Sequence, residues 1–403
     1  MNRTDKRTVI YNRTVTYRTL DSSRLLIKTA GVLALIFSLL ALTGLHKAGA
    51  GEIVLETVRS QQESFRVVSL VEGLQNPWSV VFLPDGRLLI SERPGRLNLL
   101  EGGRLIPVSG LPQIEAGRQG GLLDVALHPE YRENGWIYLA YSAGGGGSWG
   151  TRIARARLEG QQLVDVQELF RMENGSSAGV HFGSRMTFLP DRTLLFTIGD
   201  RGDRDRAQSL TEHAGKTLRI NDDGSIPSDN PFVGRPDALP EIYTYGNRNA
   251  QGMAVQPGSG LVWQHEHGPR GGDEVNIIEP GSNYGWPAIT YGREYSGGEV
   301  SPLSAAPGME QPVIYWTPSI APSGMSFYTG EAFDRWQGNI FVGALAGQHL
   351  RRLVVRGREI VHQEVLLEGQ LGRIREVREG PDGFLYLLTD ARNGALLRLE
   401  PVR

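Results

Sequence analysis

Four groups of residues in this chain could do chemistry. His181, in GVHFGSRMTF, and Asp200, closing LLFTIGD, flank one apolar hairpin. Its outgoing and returning strands can bring the carboxylate beside the imidazole. There it would fix the tautomer and raise the basicity, as a general base needs. A lone histidine held for structural reasons is the other reading. Arg248 and Asn249, in YGNRNAQGM, sit between two glycines and could make charge-assisted bonds to an anionic or quinone oxygen, or could simply hold a turn. In HEHGPRGGDEVN, the carbonyls of Gly268 and Pro269 lie near the carboxylates of Asp273 and Glu274. Calcium takes such mixed oxygen shells. The HEH run is a weaker zinc signal, because His265 and His267 are two apart with no third ligand evident and no cysteine. Arg373 and Arg375, in LGRIREV, would share one face of a strand and repel unless a polyanion lies between them. Gln119, flanked by glycines in GRQGG, is a solvated loop residue or an amide donor to a carbonyl-rich ligand.

Such residues need a scaffold, and a repeat supplies it. SVVFLPDGRLLISE, DVALHPEYRENGWIYLAYS, RMTFLPDRTLLFTIGD, GMAVQPGSGLVWQHEHG, GMSFYTGEAFDRWQGNIFVGAL and EVREGPDGFLYLLTD share one grammar. An apolar run, a turn rich in Pro, Asp or Gly, and a second apolar run predict a hairpin. The copies begin near residues 80, 125, 186, 253, 325 and 377. Intervals in or a little above the range for propeller blades imply six blades with loop insertions. We therefore expect an all-β, six-bladed β-propeller of four-stranded antiparallel blades over residues 65–403. The longer insertions follow the third, fourth and fifth copies and should gather on the channel face. A β-sandwich or two small β domains is the alternative.

The chain has 403 residues, 52 of them glycine, and a formal net charge of −2, so bulk charge favours no nucleic-acid partner. Residues 1–28 are basic, with Lys6, Arg7, Arg13, Arg18, Arg24 and Lys28 against Asp5 and Asp21. The stretch Thr29 to Leu45 is apolar and Ala48-Gly49-Ala50 follows, which is the order of a secretory signal. Export to the periplasm or beyond is expected, with an uncleaved membrane anchor over residues 1–50 as the lesser alternative. Residues 51–64 read as a linker. With no cysteine, stability must come from a core rather than disulfides.

The motifs RQGGLLDVALHPEY, HFGSRMTFLPD…TIGDRGD, YGNRNAQGM, HGPRGGDEVNIIEPGSNYGWP and GRIREV, in this order, resemble the soluble aldose sugar dehydrogenases, relatives of soluble quinoprotein glucose dehydrogenase. The resemblance spans roughly residues 65–400. It implies a six-bladed propeller holding pyrroloquinoline quinone (PQQ) and calcium, which oxidises the anomeric hydroxyl of aldoses to the lactone and passes electrons to an external quinone, cytochrome or dye. By motif, His181 is similar to the general base and Asp200 to its partner. Gln119, Arg248, Asn249 and Tyr295 are similar to cofactor contacts, with Arg248 polarising the quinone carbonyl. Arg373 and Arg375 match contacts to the PQQ carboxylates. Gly268 and Pro269 match carbonyls at a cofactor-bound calcium, and Glu274 and Tyr284 match a structural calcium site. Val180 and Ala346 depart from the glucose enzymes, which carry Asp and Lys there. The rival functions are a calcium-dependent lactone hydrolase and an exported ligand-binding propeller without catalysis.

Overall fold

The computed structural model describes residues 51–402; the expected signal or anchor over residues 1–50 lies outside them. Among the described residues no helix is long and apolar enough to cross a membrane.

Six antiparallel sheets form a ring. Their innermost strands are Pro77–Phe82, Leu122–Leu127, Met186–Phe188, Ala250–Val255, Pro322–Phe327 and Ile374–Glu379. Each packs against the next, and the sixth returns to the first. Each repeated hairpin of the sequence supplies the two innermost strands of one blade. The turn chemistry is visible in the first copy, where Leu83 N–H bonds Arg87 O at 2.8 Å around Gly86, whose φ is +89°. Only a residue without Cβ adopts that angle cheaply.

Five blades have four strands and the sixth has five. Ile374–Glu379, Leu385–Thr389 and Gly394–Pro401 come from the C-terminal end, and Ser64–Leu74 from the N-terminal end adds the fourth strand. The register sets Val67 against Leu399 and Arg66 against Glu400, and the latter pair is ion-paired at 2.6 Å. Joining distant chain segments in one sheet closes the ring without a free edge at the seam. The segment read as a linker, 51–64, is instead largely strand: Glu52–Arg59 pairs with Ser64–Leu74 as the fifth strand. It was illegible because it is mostly exposed and lacks a period-two apolar pattern.

A separate apolar cluster fills each blade interface. Leu89 and Leu139 lie between blades one and two, Tyr138 and Phe196 between two and three, and Leu195 and Met253 between three and four. Trp263 and Ile340 lie between four and five, Phe65 and Phe341 between five and six, and Ile90 and Leu388 between six and one. The insertions fall in blades three and four, at 199–215, 221–241 and 279–313. The expected insertion after the fifth hairpin is absent, for Leu350–Arg356 and Glu359–Leu366 follow it on short turns.

The ring's centre is polar. Arg185 Nη1 lies 2.6 Å from Glu376 and 3.3 Å from Asp124, and its Nε donates to Gln251 O at 2.9 Å. All three charged side chains are buried. One guanidinium thus ties blades two, three, four and six. A buried charge is tolerable only when paired and hydrogen-bonded in this way.

Candidate active site

Above the Arg185 hub the loops between strands enclose a cavity of about 250 Å³. Gln119, His181, Arg248, Asn249, Tyr295, Arg373 and Arg375 all line it. Seven residues spread over more than 250 positions of sequence therefore meet in one place.

His181 has φ +53°, a left-handed conformation that costs a non-glycine residue energy and must be imposed by its surroundings. Four contacts impose it. The main-chain N–H of His181 donates to Gln119 Oε1 at 2.8 Å. Its Nδ1 meets Asp200 Oδ1 at 2.6 Å. Gly199 presses against its carbonyl so closely that a Cβ there would lie 2.4 Å from the oxygen. Arg201 donates to the carbonyl of Val180, the preceding residue. Asp200 is buried and also accepts from Gly202 N–H at 2.9 Å and Trp286 Nε1 at 2.9 Å. Burial would raise its carboxyl, but the His181 hydrogen bond and the other donors hold it below the ordinary value. An ionised Asp200 accepts Nδ1–H and so favours the tautomer in which Nε2 carries the lone pair.

Arg201 itself is fully buried, stacked 3.4 Å over the Phe182 ring, with Nη2 donating to Trp149 O at 3.2 Å. No carboxylate pairs with it among the described ion pairs, and burial, reinforced by Arg206, lowers its guanidinium to about 9. A loop arginine beside glycine reads as solvated, so nothing in the sequence marked it.

Opposite His181, the wall is cationic. Arg375 is buried, bonds Gln251 Oε1 at 2.9 Å and lies 5.7 Å from the Trp78 ring centre. Arg373 is half exposed and grips Asp390 at 2.9 Å. Burial, with Arg373, Arg185 and Arg93 nearby, drops Arg375 to about 10. Burial would raise Asp390, but Arg375, Asn76 and Arg373 carry it down to about 2. Arg93, Arg373 and Arg375 thus face the cavity with one carboxylate among them, which suits a polyanionic ligand. Asp390 was missed, although it ends the sixth hairpin where Asp200 ends the third.

Arg248 and Asn249 are held by their main chain. The N–H of Arg248 donates to buried Glu266, and that of Asn249 does so at 3.3 Å. Asn249 Oδ1 accepts from Gly183 N–H at 3.1 Å, which turns its amide N–H groups free for a ligand. Arg248 Nη1 donates to the carbonyls of His267 and Gly268, at 3.1 and 3.0 Å. The Gly268 oxygen expected at a metal is therefore engaged by the guanidinium expected at a quinone.

The four residues expected at metals do not converge on one point. Gly268, Glu274 and Tyr284 border a void of about 10 Å³, room for a single water or ion, together with Glu266, which the sequence reading overlooked. Pro269 faces a different chamber, beside His181. The Tyr284 hydroxyl is spent on Ile277 O and Glu279 N–H, both at 2.9 Å. Burial pushes up both Glu266 and Glu274, and their mutual repulsion pushes Glu274 further. A cation between them would relieve that repulsion, but among the described residues no group of three or more His, Asp or Glu is set to hold one. Main-chain oxygens would have to complete the shell. Asp273 is structural: it accepts from Gly268 N–H, Ser319, Ile320 N–H and Ala321 N–H, bracing two loops together. His265 is fully buried against Gly252, His267 Nε2 bonds Pro322 O at 2.6 Å, and among the described residues no cluster of three His, Asp or Glu forms around them to hold zinc.

Comparison with known proteins gives the chain's family. A family model described as Glucose / Sorbosone dehydrogenase matches residues 74–398. An aldose sugar dehydrogenase of Escherichia coli is 42% identical over 340 residues, covering 82% of this chain and 92% of the relative. A crystal structure of a glucose dehydrogenase superposes with a TM-score of 0.81 at 45% identity, over 82% of this chain and 98% of that one. The PQQ-bound form of an aldose sugar dehydrogenase from Streptomyces coelicolor superposes with a TM-score of 0.68 at 29% identity, over 82% and 96%.

Proposed function

Because this chain belongs to the glucose/sorbosone dehydrogenase family and is an oxidoreductase acting on sugar CH–OH groups, we propose that it oxidises aldoses at the anomeric carbon to lactones, with PQQ and calcium as cofactors and an external electron acceptor. The observation that carries this reading is the His181–Asp200 pair, which stands at a cavity lined by four arginines, Arg93, Arg248, Arg373 and Arg375. Exported and freed of residues 1–50, the protein would work outside the cytoplasm.

The residues fit an anionic, flat, carbonyl-bearing cofactor. Arg373, Arg375 and Arg93 would hold its carboxylates, and Gln119, Asn249 and Tyr295 would flank its oxygens. When bound, PQQ supplies the hydride acceptor and calcium a Lewis acid. The chain's own part is proton transfer and orientation. His181 Nε2 accepts the proton of the anomeric hydroxyl. Asp200 keeps the imidazole in the right tautomer and stabilises the imidazolium that results. Arg248, 5.4 Å from the Trp286 ring centre, offers positive charge fixed in place before the reaction begins. A hydrolase of the lactonase type would need free carboxylates at the channel centre, and Asp124 and Glu376 are consumed by Arg185.

The direct test is to titrate apoprotein with PQQ and calcium and follow dye-linked oxidation of aldoses. Activity should appear and saturate with PQQ; absence of PQQ binding would refute the reading. Two further outcomes follow from the geometry. Calcium should raise the melting temperature, since a ligand at about a hundred times its Kd adds roughly 2.7 kcal/mol. Glu274→Gln should abolish that increment in differential scanning calorimetry. Arg201→Met should loosen the main chain at Val180 and lower kcat by roughly tenfold to a hundredfold. PQQ affinity, read by absorbance, should stay near that of the parent.

A further inference from the structure

Beside the first cavity a second chamber of about 180 Å³ opens, bordered by both His181 and Asp200. His181, Arg248 and Tyr295 line both chambers, so the imidazole stands at the partition. The two spaces differ in charge. The first has its cluster of arginines. The second sets two cations, Arg204 and Arg248, against two anions, Asp200 and Glu294, with Arg204 Nη1 lying 2.6 Å from Glu294 Oε1. Their side chains remain 41% and 29% exposed, so a ligand can reach both.

The pair spans two blades. Arg204 starts the 3₁₀ turn Arg204–Gln208 of the blade-three insertion, and Glu294 lies in the blade-four insertion. Both are presented from anchored backbone. Buried Lys216 donates to the carbonyls of Arg206, Ala207 and Ala214 at 3.0, 3.0 and 2.6 Å. Gln208 Nε2 donates to Trp286 O at 2.7 Å, joining the turn to the other insertion. Glu294 N–H closes a tight turn onto Gly298 O at 2.8 Å.

The chamber's other charged groups are wholly or partly engaged. Both oxygens of Asp200 have donors, and Arg248 Nη1 is committed to two carbonyls. What remains is a carboxylate that can accept and a guanidinium that can donate, side by side. Adjacent hydroxyls of a sugar ring offer the complementary donor and acceptor. Because the ion pair is internally neutral, it gives no net attraction to an anion, and Glu294 would repel one.

We propose that this chamber is the aldose subsite, that Arg204 and Glu294 together bind a vicinal diol of the sugar, and that the pair selects neutral aldoses over phosphorylated or acidic ones. This rests on the reading of the protein as a sugar dehydrogenase with His181 as base.

The test uses Arg204→Met and Glu294→Gln, with three measurements on each. These are PQQ binding by absorbance titration, steady-state kinetics with glucose and glucose 6-phosphate, and binding of 1,5-anhydroglucitol to cofactor-free protein by calorimetry. That analogue lacks the anomeric hydroxyl and cannot be oxidised there. Losing a hydrogen bond to a charged group should raise KM for glucose by roughly tenfold, with the loss falling on KM rather than kcat. Analogue affinity should weaken in parallel, and Glu294→Gln should narrow the preference for glucose over glucose 6-phosphate. Unchanged KM and unchanged analogue affinity in both variants would overturn the assignment, as would a collapse of PQQ affinity, which would place the pair at the cofactor. If the parent protein binds the analogue through these residues but takes no PQQ, the subsite stands and the dehydrogenase reading fails.

Discussion

His181→Gln protein loaded with PQQ and calcium should bind sugar and cofactor yet lose turnover by about 10²–10⁴-fold, the usual worth of a positioned general base. Glutamine fills similar space and can still hydrogen-bond Asp200, but its amide cannot take a proton. The loss should appear in the first half-reaction, measured by stopped-flow mixing of loaded enzyme with sugar. PQQ affinity should change little, because the arginines that would bind its carboxylates stand on other blades. The backbone at 181 needs a control. With φ at +53° the position favours residues that tolerate the left-handed region. His181→Asn removes the base at lower backbone cost, so loss in both variants with unchanged melting points isolates the proton transfer. Undiminished turnover in either would remove His181 from the mechanism.

Why was this residue legible when its clamp was not? His181 and Asp200 bracket a hairpin whose turn is written plainly in FLPDRT, so strand pairing alone brings them together. The same logic reaches Gln119, Arg248 and Arg373, each of which lies just before a blade's innermost strand and so faces the channel. It fails where position depends on burial rather than pairing. Arg201 looks like a solvated loop residue until the fold stacks it on Phe182. Glu266 hides in a run that suggested zinc, and only the sheet register, which sets it against Glu274, shows a pair of carboxylates. Trp78 reads as an apolar strand residue, yet Arg185 and Arg375 both lie against its ring. The fold was legible for a similar reason. Hairpins are local, whereas the closure of blade six by Ser64–Leu74 joins residues more than 300 apart, and no local pattern encodes it.

Arg375→Met should separate cofactor binding from stability. In the apoprotein Arg375 is a cost. Its guanidinium is drawn down to about 10 from an ordinary 12.5, first by burial and then by Arg373, Arg185 and Arg93. A cation whose folded value is depressed penalises the fold fully below that value, and the penalty is relieved as pH rises from about 10 towards the unfolded value. At neutral pH the whole penalty, on the order of 3 kcal/mol, is present. Methionine removes it and keeps the packing against Trp78, but leaves Gln251 Oε1 without its donor, a loss of about 1–3 kcal/mol. The two terms nearly cancel, so the apoprotein should melt within a few degrees of the parent in calorimetry. Asp390 keeps its hydrogen bonds from Arg373 and Asn76 and loses only the longer 3.7 Å attraction of Arg375, a smaller cost on the same side as Gln251. Cofactor binding has no such compensation. A buried cation facing a carboxylate is worth about 2–5 kcal/mol on truncation, so the Kd for PQQ should rise by roughly a hundredfold. Arg373→Met, at a half-exposed position, should weaken binding less. Near-parental PQQ affinity in Arg375→Met would show that the arginine wall is not the anion seat. A large fall in apo melting temperature would show that Arg375 serves the fold instead.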